Sequence, residues 1–344
     1  MIKKYSERKA AVRFVMKLSL LFIPFIAILA VYLLTDPFMV LKHYNRYDQS
    51  PVMLNEGYVG WQTYMNNRDS IPFDSFIMGN SCTMAYPCRE WEKYLNGGRA
   101  IRLFGNAEGI AAVSLKLQAL DKVGADIKNL LLIVDKGALQ TDRLLSGHTN
   151  ILPPTLSGMS NLAFQEKFCQ AFCFPDVLFP YLDYRLFHQY RPYMKGVINP
   201  YGPIRDPITN DMLNPREEII KKEGEKYWEN RKNEFTKKRE KDYRNGKYKE
   251  DLKVIGDKQL EYLKEIAQIC QTHGTAVKII VSPNYNQINL NPADVQILKN
   301  LFGTGNVFDF SGINEYTEDI HNYYEKGHYR PVLGVRLMER IYSL

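Results

Sequence analysis

The sequence predicts an α/β protein: a parallel β-sheet with helices on both faces, carried behind one apolar N-terminal helix. Three observations predict it. Short apolar runs alternate with helix-period segments, the pattern of repeated strand–helix–strand units. One run, Asn129-Leu-Leu-Leu-Ile-Val134, is nearly all apolar, as a strand covered on both faces must be. A charge-free stretch, residues 18–34, follows a basic tail.

That stretch, LSLLFIPFIAILAVYLL, spans roughly 26 Å as a helix, close to the hydrocarbon thickness of a bilayer. The 17 residues before it carry a net charge of +5. Excess Lys and Arg stays on the cytoplasmic side, so the remainder is expected outside. A cleaved signal peptide would have a shorter apolar core and a small-residue cleavage site, whereas this run exits into Thr35-Asp36-Pro37-Phe38. The expected organisation is a cytoplasmic tail (1–17), a transmembrane anchor (18–36), a juxtamembrane connector (37–70) and an α/β domain (71–344).

Within that domain, strands are expected at Asp74–Met78, Arg99–Phe104, Asn129–Val134, Ala276–Ser282 and Asn306–Phe310, and helices at Ala107–Val123, Gly256–Thr272 and Pro331–Ile341. Ligands in such sheets bind beyond the carboxyl ends of the strands. Between the third and fourth strands lies an insertion, 137–250. Its first half is aromatic and Pro-rich; its second is rich in Lys and Glu and reads as a solvated helical arm. The insertion is either a lid or docking surface, or plain packing over the sheet.

The net charge of +7 is not a nucleic-acid signal. Residues 1–17 and 215–253 together hold +9, which leaves the rest of the chain at −2. Five cysteines (Cys82, Cys88, Cys169, Cys173, Cys270) have no histidines at metal-ligand spacing, so no metal site is expected. Cys169 and Cys173 lie one helical turn apart and could pair, or could be buried thiols.

Two motifs carry chemistry. Ile77-Met-Gly79-Asn80-Ser81 is a strand running into a tight turn that exposes a hydroxyl beside helix-start N–H groups. Glu325-Lys-Gly-His328 stands just before the last helix, with a carboxylate able to reach back and direct the imidazole as a base. Ser81 could instead cap the following helix, and His328 could be a loop residue bonded to backbone, but the matching positions of the two favour the catalytic pairing. Cys82 is a lesser nucleophile candidate. His321 repeats the spacing with Glu318, but on a predicted helix. Asp309 could orient the histidine loop or cap a turn.

In these motifs the chain resembles the SGNH (GDSL-like) hydrolase superfamily, whose fold is a three-layer, flavodoxin-like parallel sheet. The resemblance covers 74–136 and 255–343. It implies Ser81 as nucleophile, His328 as general base and Glu325 as its orienting acid, where the family has Asp. It implies an oxyanion hole in the second block, from Gly109 or Gly105 with Asn106 adding a side-chain N–H. The third block departs: Asp135-Lys136-Gly137 replaces the family's Gly-x-Asn-Asp, and an ionised Asp donates no hydrogen bond. Membrane anchorage and this altered block are similar to the subgroup that includes alginate acetylation proteins and the teichoic acid D-alanyl transfer protein. That likeness implies a serine esterase or O-acyltransferase acting on cell-surface polysaccharide or another acylated glycan, partnered by a membrane-bound O-acyltransferase and needing no cofactor. The alternative is a non-catalytic scaffold of the same fold that binds a glycan or that enzyme.

Overall fold

The computed structural model describes residues 2–201, 205–235 and 252–343, without the side chains of 2–12, 15, 17, 18, 20 and 21. The chain opens with α1 (Ile2–Thr35), α2 (Glu56–Asn67), β1 (Phe73–Gly79), α3 (Cys88–Glu92), β2 (Arg99–Phe104), α4 (Ile110–Lys122) and β3 (Asn129–Val134). There follow α5 (Lys136–Gln140), α6 (Pro154–Ser157), α7 (Asn161–Cys173), α8 (Pro175–Phe187), α9 (Arg216–Glu223) and α10 (Lys226–Glu229). The last part holds α11 (Asp257–His273), β4 (Ala276–Val281), α12 (Pro292–Phe302), β5 (Val307–Asp309), α13 (Glu315–Glu318), β6 (Tyr323–Glu325), β7 (His328–Tyr329) and α14 (Pro331–Tyr342).

These elements form two compact units. One comprises 1–44, 51–54 and 161–200. In it α1 is a single helix with Pro24 inside. Beyond it the chain turns about the buried Asp36, whose carboxylate accepts the N–H groups of Val40 (2.9 Å), Leu41 (2.9 Å) and Lys42 (3.2 Å). Tyr32 and Phe38 pack on Phe172 and Phe168 of α7, each pair of rings 5.5 Å apart. In the apolar stretch expected to cross a membrane, the side chains of residues 18, 20 and 21 lie outside the description. Among the described residues, no helix is long and apolar enough to span one.

The second unit, 45–50, 55–160 and 201–344, holds a five-stranded, all-parallel sheet in the order β2-β1-β3-β4-β5. This is the doubly wound order of flavodoxin-like folds. Strand side chains alternate between faces. Phe76, Met78, Leu130, Leu132 and Ile279 enter one core layer with residues of α4, α11 and α12. Ile77, Leu131, Ile133 and Ile280 enter the other with α14. Both faces are buried, which is why β3 reads as a nearly continuous apolar run. At the β2 edge, residues 205–211 cover the open backbone: Arg102 N–H donates to Thr209 O (2.9 Å), and Asn210 Nδ2 to Arg102 O (2.9 Å). Such cover removes a template for edge-to-edge pairing.

Two stretches differ from the sequence-based expectation. The 37–70 connector contains α2, whose Tyr58, Val59, Trp61 and Tyr64 are buried. The Lys/Glu-rich stretch is not a purely solvated face: Ile220, Tyr227, Trp228 and Phe235 are buried in the second core layer. These apolar residues are few but large, so they escape a charge-based reading. The remainder, 236–250, lies outside the described residues. All five cysteines are free.

Candidate active site

The site is built where β1 ends. Gly79 has φ +136°, and a Cβ there would stand 2.3 Å from the Ile133 carbonyl oxygen of β3, so only glycine fits. The chain then enters a short 3-10 turn, Ser81–Ala85, capped by Asn80, whose Oδ1 accepts the Cys82 N–H (2.9 Å). Asn80 is itself fixed, since its Nδ2 donates to Asp135 Oδ2 (3.0 Å). The other oxygen of Asp135 accepts the Ala138 N–H (2.8 Å) and caps α5. The third-block aspartate is thus an acceptor that orients the residue before Ser81.

The second part comes from 247 positions further along. Glu325 and His328 are cross-strand partners in the β6–β7 hairpin, with Lys326 and Gly327 as its two-residue turn. The spacing of the motif is therefore the spacing of a hairpin. His328 Nδ1 hydrogen-bonds Glu325 Oε1, and His328 Nε2 lies 2.8 Å from Ser81 Oγ. Arg216 Nη1, from the first residue of α9, meets the remaining Glu325 oxygen at 2.9 Å.

The hairpin is pinned from below and behind. Tyr329, next to His328, has its hydroxyl 3.0 Å from Tyr86 Oη and 3.2 Å from Ser282 Oγ, just beyond β4. Gly334 of α14 passes so close to the serine turn that a Cβ would stand 1.9 Å from the Ala85 carbonyl oxygen. A side chain there would push α14, and the hairpin leading into it, away from Ser81.

The electrostatics suit this arrangement. The hydrogen bond from His328, and then that from Arg216, hold the Glu325 carboxyl down at about 2, so it is a carboxylate throughout the neutral range. Burial, reinforced by Asp135, pushes the Cys82 thiol far up, and the thiol contacts Gly327 O at 3.8 Å. A protonated buried thiol is a poor nucleophile.

His321 sits elsewhere. Its Nδ1 meets Asp319 Oδ1 (2.7 Å) and its Nε2 meets Glu225 Oε2 (3.0 Å). Partial burial alone would lower its pKa, but the bonds to Glu225 and Asp319 outweigh this and raise it above 6.5. The ion-pair contribution is therefore complete below about 6.5 and lost as pH rises through the raised value. The melting-temperature gap between wild type and His321→Gln should be wide at pH 6 and narrow at pH 9; an equal gap at both would contradict this.

Asp309 caps the turn after β5, accepting from Ser311 N (2.9 Å) and Oγ (2.6 Å). The three oxyanion candidates lie together at the end of β2. Gly105, Asn106 and Gly109 line a small cleft with Arg143 and Asn150, and Ser81 is not among its lining residues. Gly105 N–H points to Gly79 O (3.4 Å), which ties this loop to the end of β1. Under the loop lies a buried ion pair, with Lys116 Nζ 2.7 and 2.5 Å from the two Glu108 oxygens and 3.2 Å from Leu103 O. Burial pushes Glu108 up and Lys116 down, against their mutual attraction.

Sequence reasoning missed Arg216, the Tyr86–Tyr329–Ser282 contacts and the Glu108–Lys116 pair. Arg216 carries no distinguishing signal among the 14 Lys and Arg residues of 215–253. Among the described residues, no group of three or more His, Cys, Asp or Glu could hold a metal ion. Comparison with protein-family models and with curated proteins finds no match to this chain.

Proposed function

We propose that this chain is a membrane-anchored serine esterase or O-acyltransferase of the SGNH type, acting on extracytoplasmic glycan through an acyl-Ser81 intermediate. The observation that carries the reading is the continuous Ser81–His328–Glu325 relay, with 2.8 Å between Ser81 Oγ and His328 Nε2. A serine that only caps its turn has no need of an imidazole directed by a carboxylate; here Asn80 already caps the turn.

In this mechanism Nδ1 of His328 carries a proton toward Glu325, which leaves Nε2 free to accept the Ser81 hydroxyl proton. Ser81 Oγ then bonds the acyl carbon of an ester. As the tetrahedral adduct collapses, the bond to the leaving alcohol breaks and His328 returns the proton to that oxygen. Water or a sugar hydroxyl repeats the sequence on the acyl-serine, giving hydrolysis or transfer. Of the second-block residues, Gly109 N–H and the Asn106 side chain are the proposed oxyanion donors, since the Gly105 N–H is turned to Gly79 O.

The anchorage rests on the apolar 18–34 stretch and the +5 tail, which together favour a cytoplasmic N-terminus and an extracytoplasmic main domain. Large apolar side chains of α1, among them Phe25 (68% exposed) and Leu34 (77%), have little protein cover, as a lipid-facing helix requires. A membrane-bound O-acyltransferase is the proposed acyl source, from the likeness to polysaccharide O-acetylation and D-alanyl transfer proteins.

Labelling with a fluorophosphonate tests the reading. Wild type is expected to label covalently and Ser81→Ala to lose all labelling. Undiminished labelling of Ser81→Ala, or a folded wild type that neither labels nor cleaves an aryl acetate, would overturn it.

A further inference from the structure

We propose that α9–α10 is a clasp that holds the triad hairpin in its reactive geometry, with Arg216 the positioning residue that locks the Glu325 carboxylate. This rests on the serine-hydrolase reading for its kinetic consequence, but the geometry is independent of that reading.

The hairpin needs outside support. Its strands span three and two residues, and an isolated two-stranded hairpin is marginal in water. The clasp meets it residue by residue. Glu217 takes the Arg330 guanidinium at 2.7 and 3.0 Å, with both side chains less than one-fifth exposed. Tyr227 Oη donates to Tyr324 O (2.7 Å), and Trp228 Nε1 donates to Tyr323 O (3.1 Å). Glu225 reaches His321 just before the hairpin. Tyr227 and Trp228 are buried, so their two hydrogen bonds are shielded from water, whereas the Glu225–His321 pair lies on the surface and adds little.

Arg216 adds the contact that matters for chemistry. A glutamate arm is one methylene longer than an aspartate arm, and its terminal torsion is broad and nearly free. With His328 on one oxygen alone, the carboxylate could swing. With Arg216 on the other oxygen at 2.9 Å, both ends are held. The imidazole, and through it the distance from Nε2 to Ser81, is then fixed by a residue from the insertion.

The experiment compares full-length wild type, Arg216→Ala, Arg216→Lys and Glu325→Gln by three readouts: fluorophosphonate labelling rate, melting temperature and the low-field proton resonance of the His328 ring. Arg216→Ala is expected to slow labelling about ten- to a hundred-fold, by analogy with the loss of a side chain that orients a metal-binding residue. Its His328 resonance should broaden or shift, and melting should change little. Added guanidinium should restore part of the rate in Arg216→Ala and none in Glu325→Gln, and Arg216→Lys should fall between. An Arg216→Ala protein with unaltered His328 resonance and wild-type rate would overturn the proposal, as would a rate loss that tracks unfolding without guanidinium rescue. If the resonance responds while wild type itself never labels, the clasp stands and the serine-nucleophile reading falls.

Discussion

His328→Ala is expected to lower kcat on an aryl acetate by a factor on the order of 10^4 or more, since triad members act as a unit. The variant keeps Ser81 and Glu325 but leaves the hydroxyl without an acceptor for its proton. Its side chain is 30% exposed, so folding should survive, and circular dichroism can verify that. Glu325→Gln should also be severe, on the order of 10^3 to 10^4, for a different reason. An amide can donate to Nδ1 and stabilise the tautomer that carries its proton on Nε2, which cannot accept from Ser81. Initial rates at saturating ester, compared at equal folded concentration, decide the matter. Should His328→Ala keep a tenth of wild-type activity, the imidazole is a structural partner and not a base.

Lys116→Met should have the largest effect on stability, about 3–5 kcal/mol in denaturant unfolding, the usual cost of stranding one member of a buried ion pair. The lysine is 1% and the glutamate 4% exposed by side chain, and the ammonium serves both carboxylate oxygens and the Leu103 carbonyl. Removing it leaves the buried Glu108 carboxylate without its hydrogen-bonded partner beneath Gly105 and Gly109. Replacing both residues, as Glu108→Leu with Lys116→Met, should recover most of the loss, because neither charge then has to be desolvated. Single and double variants of equal stability would refute this account.

The sheet was legible in the sequence because both of its faces are covered. β2 and β3 begin and end at the expected residues, Arg99–Phe104 and Asn129–Val134, and β3, apolar from Leu130 to Val134, is the clearest case of a strand buried on both faces. Ser81 was legible at a strand's end, and the Glu325–His328 pair by its three-residue spacing just before the last helix; the hairpin that carries the pair was read as a loop. What stayed hidden depends on partners far away in sequence. Nothing near Arg216 marks it among its charged neighbours, and its meaning lies in a contact with residue 325. Lys116 reads as an ordinary polar position on α4, yet it points inward to a glutamate in the preceding loop. The α2 segment looked like a connector because its polar Asn, Gln and Tyr residues mask the Trp61–Tyr64 contribution to the core.

The 247-residue separation of Ser81 from His328 also sets the order of events during synthesis. The first three strands can assemble from nearby sequence, and the serine turn with them. At that stage Ser81 has neither His328 nor Glu325 beside it, since neither has yet been made. Contacts between such distant residues form late, after the entropy of closing the intervening chain has been overcome. On the acyl-serine reading, a chain cut before residue 325 is expected to be unreactive, and reactivity to begin only once the β6–β7 hairpin docks. On that same proposed reading, the delay confines the chemistry to the finished molecule.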